Sequence, residues 1–223
     1  MSNDTTPKKN HAINFPTLKL KAGTWLNLRS QGVGVANCQV EYVAALHGRS
    51  ILVAQPASTT SKRGLLVGDH YLVRGFNGTS EFTFTSEVSA LQSEPFAYAH
   101  LTYPDLVEVL VVREALRVNV SIPVAAMPDG ATKHIFGTVK NLSVIGAMIE
   151  SAAPLGSEGD KIDIAFSANV EKREVDLKIP AVIRNVGKKD AGGVFRNGLE
   201  FQDVANQDKL VLYYLLYIHS ENV

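Results

Sequence analysis

Two short stretches of the sequence carry side chains that could bind an anionic ligand. Residues 113–117 read Arg-Glu-Ala-Leu-Arg, and residues 141–146 read Asn-Leu-Ser-Val-Ile-Gly. A guanidinium group donates two parallel hydrogen bonds to phosphate oxygens or to the O6/N7 edge of guanine, and its face stacks on bases. An even spacing places Arg113 and Arg117 on the same side of an extended chain.

The second stretch adds groups that can contact a base. Asn141 and Ser143 can bond a base edge or fix a turn, and Gly146 lets a ligand approach the backbone closely. Together the two stretches predict a pocket for a small guanine nucleotide with more than one phosphate. Two plainer interpretations stay open, in which the arginines form a solvated face and Asn-x-Ser-x-x-Gly is only a turn.

Composition limits the classes of function. Lys plus Arg and Asp plus Glu are both 22, so the net charge of zero offers no general attraction for nucleic acid. The single cysteine, Cys38, excludes an internal disulfide and a cysteine-rich zinc site, and it favours a reduced cytoplasmic setting. The longest apolar run, 210–218, is shorter than the roughly 20 residues of a membrane span. The six histidines never pair at short spacing, so we predict no metal or catalytic site.

The elements that must position these side chains are mostly short strands. Frequent turns, with Asn77-Gly78 as the strongest hairpin signal, predict an all-β chain of small barrels or sandwiches. We expect two positive-φ residues in that hairpin turn. A helix over about 205–219 closes the chain, with Asn206 or a neighbour as its N-cap. We divide the chain into a disordered N-terminus (1–17), a first domain (18–107) and a second domain (108–223).

The order of the two stretches resembles the signature of PilZ domains. These are small bacterial β-barrels that bind the second messenger cyclic di-GMP, and Arg-x-x-x-Arg followed by Asn-x-Ser-x-x-Gly fills every position of their motif. The resemblance implies an antiparallel barrel over 108–223. Val112 stands where members that take two stacked ligand molecules carry a further arginine. The ligand-binding residues that the resemblance implies are Val112, Arg113, Arg117, Asn141, Ser143, Gly146 and Ala147.

The first half is similar to the split-barrel domain of flagellar-brake-type proteins, through Gly68-Asp69, Arg74-Gly75-Phe76 and Tyr103-Pro104. The combination implies a cytoplasmic, non-enzymatic sensor without a metal or cofactor. Ligand binding would order a mobile linker (105–117), change the interdomain orientation and regulate motility, biofilm or virulence through a protein partner. We also expect a homodimer. The alternatives are a flavin-binding split-barrel enzyme and a degenerate PilZ adaptor that binds no nucleotide.

Overall fold

The chain folds into two compact units, Met1–Glu114 and Ala115–Val223. The computed structural model describes residues 10–31, 37–54, 64–94, 96–187 and 193–220. The division falls later than the boundary that we expected near residue 108. The reason is that Val107–Val111 form a strand that pairs with Ser80–Thr83 of the first unit.

The first unit is a closed antiparallel barrel with two strands added at one side. In spatial order the closed ring is β6-β5-β2-β3-β4-β7, and it closes because β6 pairs with both β5 and β7. The first part of β6 also pairs with β8, and β8 pairs with β1. The strands are β1 (His11–Ile13), β2 (Trp25–Ser30), β3 (Cys38–Leu46), β4 (Ser50–Ala54), β5 (His70–Phe76), β6 (Ser80–Gln92), β7 (Tyr98–Thr102) and β8 (Val107–Val111).

Part of the predicted disordered N-terminus is ordered. Residues 11–13 form β1, and a 3₁₀ helix follows at Phe15–Leu18, in which Phe15 and Leu18 are buried in the core of the first unit. The prediction of disorder is therefore wrong for residues 10–17, because two large apolar side chains anchor them. Residues 1–9 lie outside the described residues.

The predicted Asn-Gly turn joins β5 to β6. Asn77 Oδ1 accepts hydrogen bonds from the N–H groups of Thr79 (3.2 Å) and Ser80 (2.8 Å), and Asn77 Nδ2 donates to the Leu18 carbonyl oxygen (3.0 Å). Gly78 has a φ of +101°, but Asn77 does not lie in the positive-φ region. The expectation of two positive-φ residues is thus wrong, because the Asn77 side chain itself closes the turn.

The second unit is a closed six-stranded antiparallel barrel, in the order β10-β11-β14-β13-β12-β9. Its core is mostly aliphatic, with Phe166 and Phe201, and contains inward side chains of all six strands. Two small β-barrels and a C-terminal helix confirm the predicted fold class. The strands are β9 (Val118–Pro128), β10 (Ile135–Ser143), β11 (Gly146–Ser151), β12 (Lys161–Val170), β13 (Arg173–Val186) and β14 (Phe195–Phe201).

The C-terminal helix α1 (Asn206–Ser220) packs on its own barrel. It contacts β9, β10 and β12, and it buries Leu212, Leu215 and Leu216 in the barrel core. The predicted helix over about 205–219 is confirmed. Among the described helices, none has the length and apolar character that crossing a bilayer requires.

Candidate ligand-binding site

Ser143 and Gly146 bracket a tight hairpin. Ser143 ends β10 and Gly146 begins β11, and the two residues are paired across the strands. The Ser143 hydroxyl is buried and donates to the Gly146 carbonyl oxygen at 3.0 Å. For Ser143 the interpretation as a turn residue is therefore correct, and this side chain fixes the hairpin that positions its neighbours.

Gly146 is required by strand packing. A Cβ atom at this position would lie 2.3 Å from the carbonyl oxygen of Leu199 on β14, and the glycine does not have a positive φ. Gly146 therefore permits β11 and β14 to approach each other, which is a different reason from the ligand approach that we expected.

Asn141 lies half-exposed on β10, beside a residue that the sequence analysis missed. Its Nδ2 donates to Oδ1 of Asn119 at 3.1 Å, and the two residues are paired between β10 and β9. Asn119 follows Arg117 by two residues and is exposed, so the even spacing within 117–119 is the signal that could have found it. On its other side, Asn141 is paired with Met148 of β11.

Arg117 lies beside this group in sequence. It directly precedes Val118, the first residue of β9, which pairs with Leu142 at the end of the β9–β10 ladder. Arg117 is exposed and forms no ion pair within the described part of the chain. We call Arg117, Asn119, Asn141 and Ser143, which lie within or next to the same end of the β9–β10 hairpin, the motif cluster. An unpaired guanidinium beside two amides can hold an anion and a base edge.

Two carboxylates on the neighbouring strands β14 and β11 are already paired. Glu200, the cross-strand partner of Gly146, accepts a hydrogen bond from Arg184 Nε at 2.8 Å. This hydrogen bond, supported by the charge of Arg184, lowers the pKa of the Glu200 carboxyl. Glu150 similarly accepts from Arg196 Nε at 2.9 Å. Neither carboxylate therefore needs Arg117 as its counter-ion.

Arg113 belongs to the first unit. Its N–H and that of Val112 both donate to the Thr79 carbonyl oxygen, at 2.9 and 3.0 Å. The guanidinium carbon lies 4.8 Å from the ring centroid of Phe76. The division of the chain after Glu114 thus falls inside the Arg-x-x-x-Arg stretch.

The remaining predicted residues offer backbone or partial contacts. Val112 is half-buried, and Ala147 lies in the barrel core, so only the backbone of Ala147 can face a ligand. Across the described ranges, no group of three or more His, Cys, Asp or Glu side chains could hold a metal ion.

Comparisons with known proteins assign the two halves to different family models. Residues 112–217 match the PilZ domain, a span that begins at Val112 and contains every predicted ligand-binding residue. Residues 16–104 match the N-terminal domain model described as flagellar protein YcgR. No curated protein matches the chain at a significant level.

Solved structures with a similar fold share little sequence. The Bacillus subtilis inhibitor of motility MotI/DgrA is 16% identical, with 91% of this chain and 99% of that chain covered and a TM-score of 0.47. Escherichia coli YcgR in complex with c-di-GMP is 13% identical, with coverage of 93% and 89% and a TM-score of 0.41. The K. pneumonia MrkH–c-di-GMP complex is 10% identical, with coverage of 94% and 95% and a TM-score of 0.40.

Proposed function

The chain belongs to the PilZ family and carries a YcgR-type N-terminal domain, and we propose that it is a receptor for cyclic di-GMP. One observation carries the proposal. Arg117, Asn141 and Ser143 belong to one barrel and lie at or next to the same end of its β9–β10 ladder, and Arg117 has no carboxylate partner in the described chain. The full family motif, from Arg113 to Gly146, supports the choice of ligand.

The chemistry of the motif cluster suits a guanine dinucleotide. Arg117 donates to a phosphate or to the O6/N7 edge of a guanine. The Asn141 amide nitrogen is engaged by Asn119, which leaves Asn141 Oδ1 to accept a hydrogen bond from guanine N1–H or N2–H₂. Ser143 acts through the turn that it closes, so its contribution is to position Asn141 and Arg117.

Signal output requires that binding change something beyond the motif cluster. Arg113 lies in the first unit and Arg117 in the second, so a ligand that both arginines hold is attached to both units. Its binding then favours some relative orientations over others. The receptor passes this change to a protein partner that controls motility, biofilm or virulence, and it acts in the cytoplasm without catalysing a reaction.

Calorimetry on the full chain tests this function, with cyclic di-GMP, cyclic di-AMP and GTP titrated in parallel. We expect cyclic di-GMP to bind and cyclic di-AMP to bind at least about tenfold more weakly, because adenine cannot satisfy the groups placed for guanine. Equal binding of both dinucleotides would show that only phosphates are recognised. Absence of binding would make the chain a degenerate adaptor, and flavin absorbance in the purified protein would support the flavin enzyme.

A further inference from the structure

The β5–β6 hairpin of the first unit holds both the backbone and the side chain of Arg113. Phe76, the last residue of β5, lies beneath the guanidinium, with 4.8 Å between the ring centroid and Cζ. A cation at this distance from an aromatic face is attracted by the ring quadrupole. The Arg113 side chain is otherwise exposed.

The same hairpin also holds the backbone of Arg113. The Thr79 carbonyl oxygen accepts from the N–H groups of both Val112 and Arg113. Thr79 is itself fixed by Asn77 Oδ1, and Asn77 Nδ2 reaches the carbonyl of the buried Leu18. The hairpin is therefore tied to the core of its unit, and Arg113 is tied to the hairpin at two points.

We propose that Phe76 is a positioning residue for Arg113, whose ring supports one guanidinium face so that the opposite face is presented to a guanine base. A guanidinium is planar and has two faces on which rings can stack. The Arg113 Cζ lies over the Phe76 ring, and the Arg113 side chain remains exposed to a ligand on its other sides. The inference deepens the proposed function and rests on it.

The advantage of this arrangement is preorganisation. A free arginine side chain loses considerable rotamer freedom when it is fixed on a ligand. Phe76 and the Thr79 carbonyl restrict Arg113 before the ligand arrives, so less freedom remains to be lost on binding. The YcgR-type domain thereby contributes to ligand affinity through Arg113, although Phe76 itself lies outside the Arg-x-x-x-Arg motif.

The test is calorimetry with cyclic di-GMP on full-length Phe76→Leu, which keeps an apolar side chain but removes the aromatic face. We expect binding about two- to fivefold weaker than that of the unchanged chain, the range for an exposed cation–π contact. The loss should vanish when Phe76→Leu is made in an Arg113→Ala background, which a merely structural role would not produce. Phe96→Leu is the matched control, since Phe96 is an exposed aromatic residue of the same unit whose ring centroid lies 5.5 Å from that of Tyr98. The Phe96→Leu variant should bind cyclic di-GMP as tightly as the unchanged chain.

Other outcomes overturn the proposal. Unchanged or tighter binding by Phe76→Leu would mean that the ring is irrelevant or competes with the ligand for Arg113. An equal loss in the Arg113→Ala background would mean that Phe76 acts through the fold, and a lowered thermal midpoint would accompany it. Two other results would contradict the proposed function itself. The first is that the unchanged chain does not bind cyclic di-GMP, and the second is that Arg113→Ala binds it as tightly as the unchanged chain does. Either result removes the role of Phe76 as well.

Discussion

Arg113 and Arg117 belong to the same motif, but their structural surroundings differ. Arg113 is attached to the first unit by Phe76 and the Thr79 carbonyl. Arg117 directly precedes Val118, the first residue of β9 in the second unit, which pairs with Leu142. Each arginine is therefore positioned by its own barrel, and neither is needed for the core of that barrel.

Replacing either arginine should weaken the binding of cyclic di-GMP while the chain stays folded. Arg113→Ala and Arg117→Ala each remove charge-assisted hydrogen bonds worth about 1.5–3 kcal/mol, or about 10- to 150-fold in Kd by calorimetry. Arg49→Ala and Arg173→Ala are the matched controls, because they remove exposed arginines from the first and second units. Wild-type affinity in either motif variant would show that the motif is wrongly assigned.

Gly146→Ala should lower stability, because the new Cβ would meet a backbone oxygen of the β11–β14 ladder at 2.3 Å. The oxygen cannot move without disturbing strand pairing, and such overpacking costs about 1–3 kcal/mol. Thermal unfolding measures the effect. Gly198→Ala is the control, since the atom nearest to its Cβ would be the Asn185 Cβ at 3.3 Å, and the Asn185 backbone atoms would lie at 3.9 Å. Equal midpoints for the two variants would contradict a packing role for Gly146.

Residue types and spacing were sufficient to predict Arg113, Arg117 and Asn141 as candidates. They could not reveal that Asn119 is the partner of Asn141, because that contact depends on how β10 aligns on β9 after the register shift between Val139 and Asn141. They also could not show that Ala147 points into the core. Register is a long-range property, and a shift of one residue exchanges the two faces of a strand.

At the scale of secondary-structure elements, the sequence predicted the ones that are specified by residues close together in the chain. The Asn77-Gly78 hairpin and the helix α1 occur where expected. The 3₁₀ helix at Phe15–Leu18 was missed, because four residues with a central proline show no periodicity. The boundary that we placed after residue 107 falls inside β8, because the place of β8 in the first unit depends on its pairing with β6, which is distant in sequence.

The cross-strand pair of Glu200 and Arg184 predicts a pH dependence of stability. The hydrogen bond from Arg184 lowers the pKa of the Glu200 carboxyl below its usual value. A lowered folded-state pKa stabilises the protein above the unfolded-state value, and that contribution is lost as the pH falls through the folded-state pKa. Glu200→Gln should therefore be less stable than wild type at pH 7, and the difference should shrink below pH 4.5. A difference independent of pH would exclude the ion pair as its cause.

At the scale of the whole molecule, length and turn frequency predicted two small β-domains, and the chain forms two barrels. The helix α1 buries Leu212, Leu215 and Leu216 on its own barrel. The same helix leaves Leu210 and Tyr213 exposed, by 70% and 57%. Sequence could not decide which apolar residues would face outward, because the helix is apolar on most sides.

We expect a homodimer because Leu210 and Tyr213 are exposed on α1. Light scattering of the full chain at micromolar concentration should give a dimer mass, because exposed apolar groups tend to be covered by a partner. The pair of changes Leu210→Ser and Tyr213→Ser should shift the mass toward the monomer. Leu46→Ser, which replaces an exposed leucine of the first unit, should leave the mass unchanged. A monomeric wild-type chain would contradict the expectation and leave this face of α1 exposed to solvent.

Hydrogen exchange with and without cyclic di-GMP tests the proposal that one ligand binds both Arg113 and Arg117. We expected the linker, residues 105–117, to be mobile without ligand. Residues 107–111 instead form β8, and the N–H groups of 112 and 113 donate to Thr79. Residues 114–117 lie outside any strand, so the gain in protection should concentrate there, with little change in β8 or the barrel strands. Tight binding without added protection at 114–117 would contradict the account and leave the chain a passive nucleotide binder.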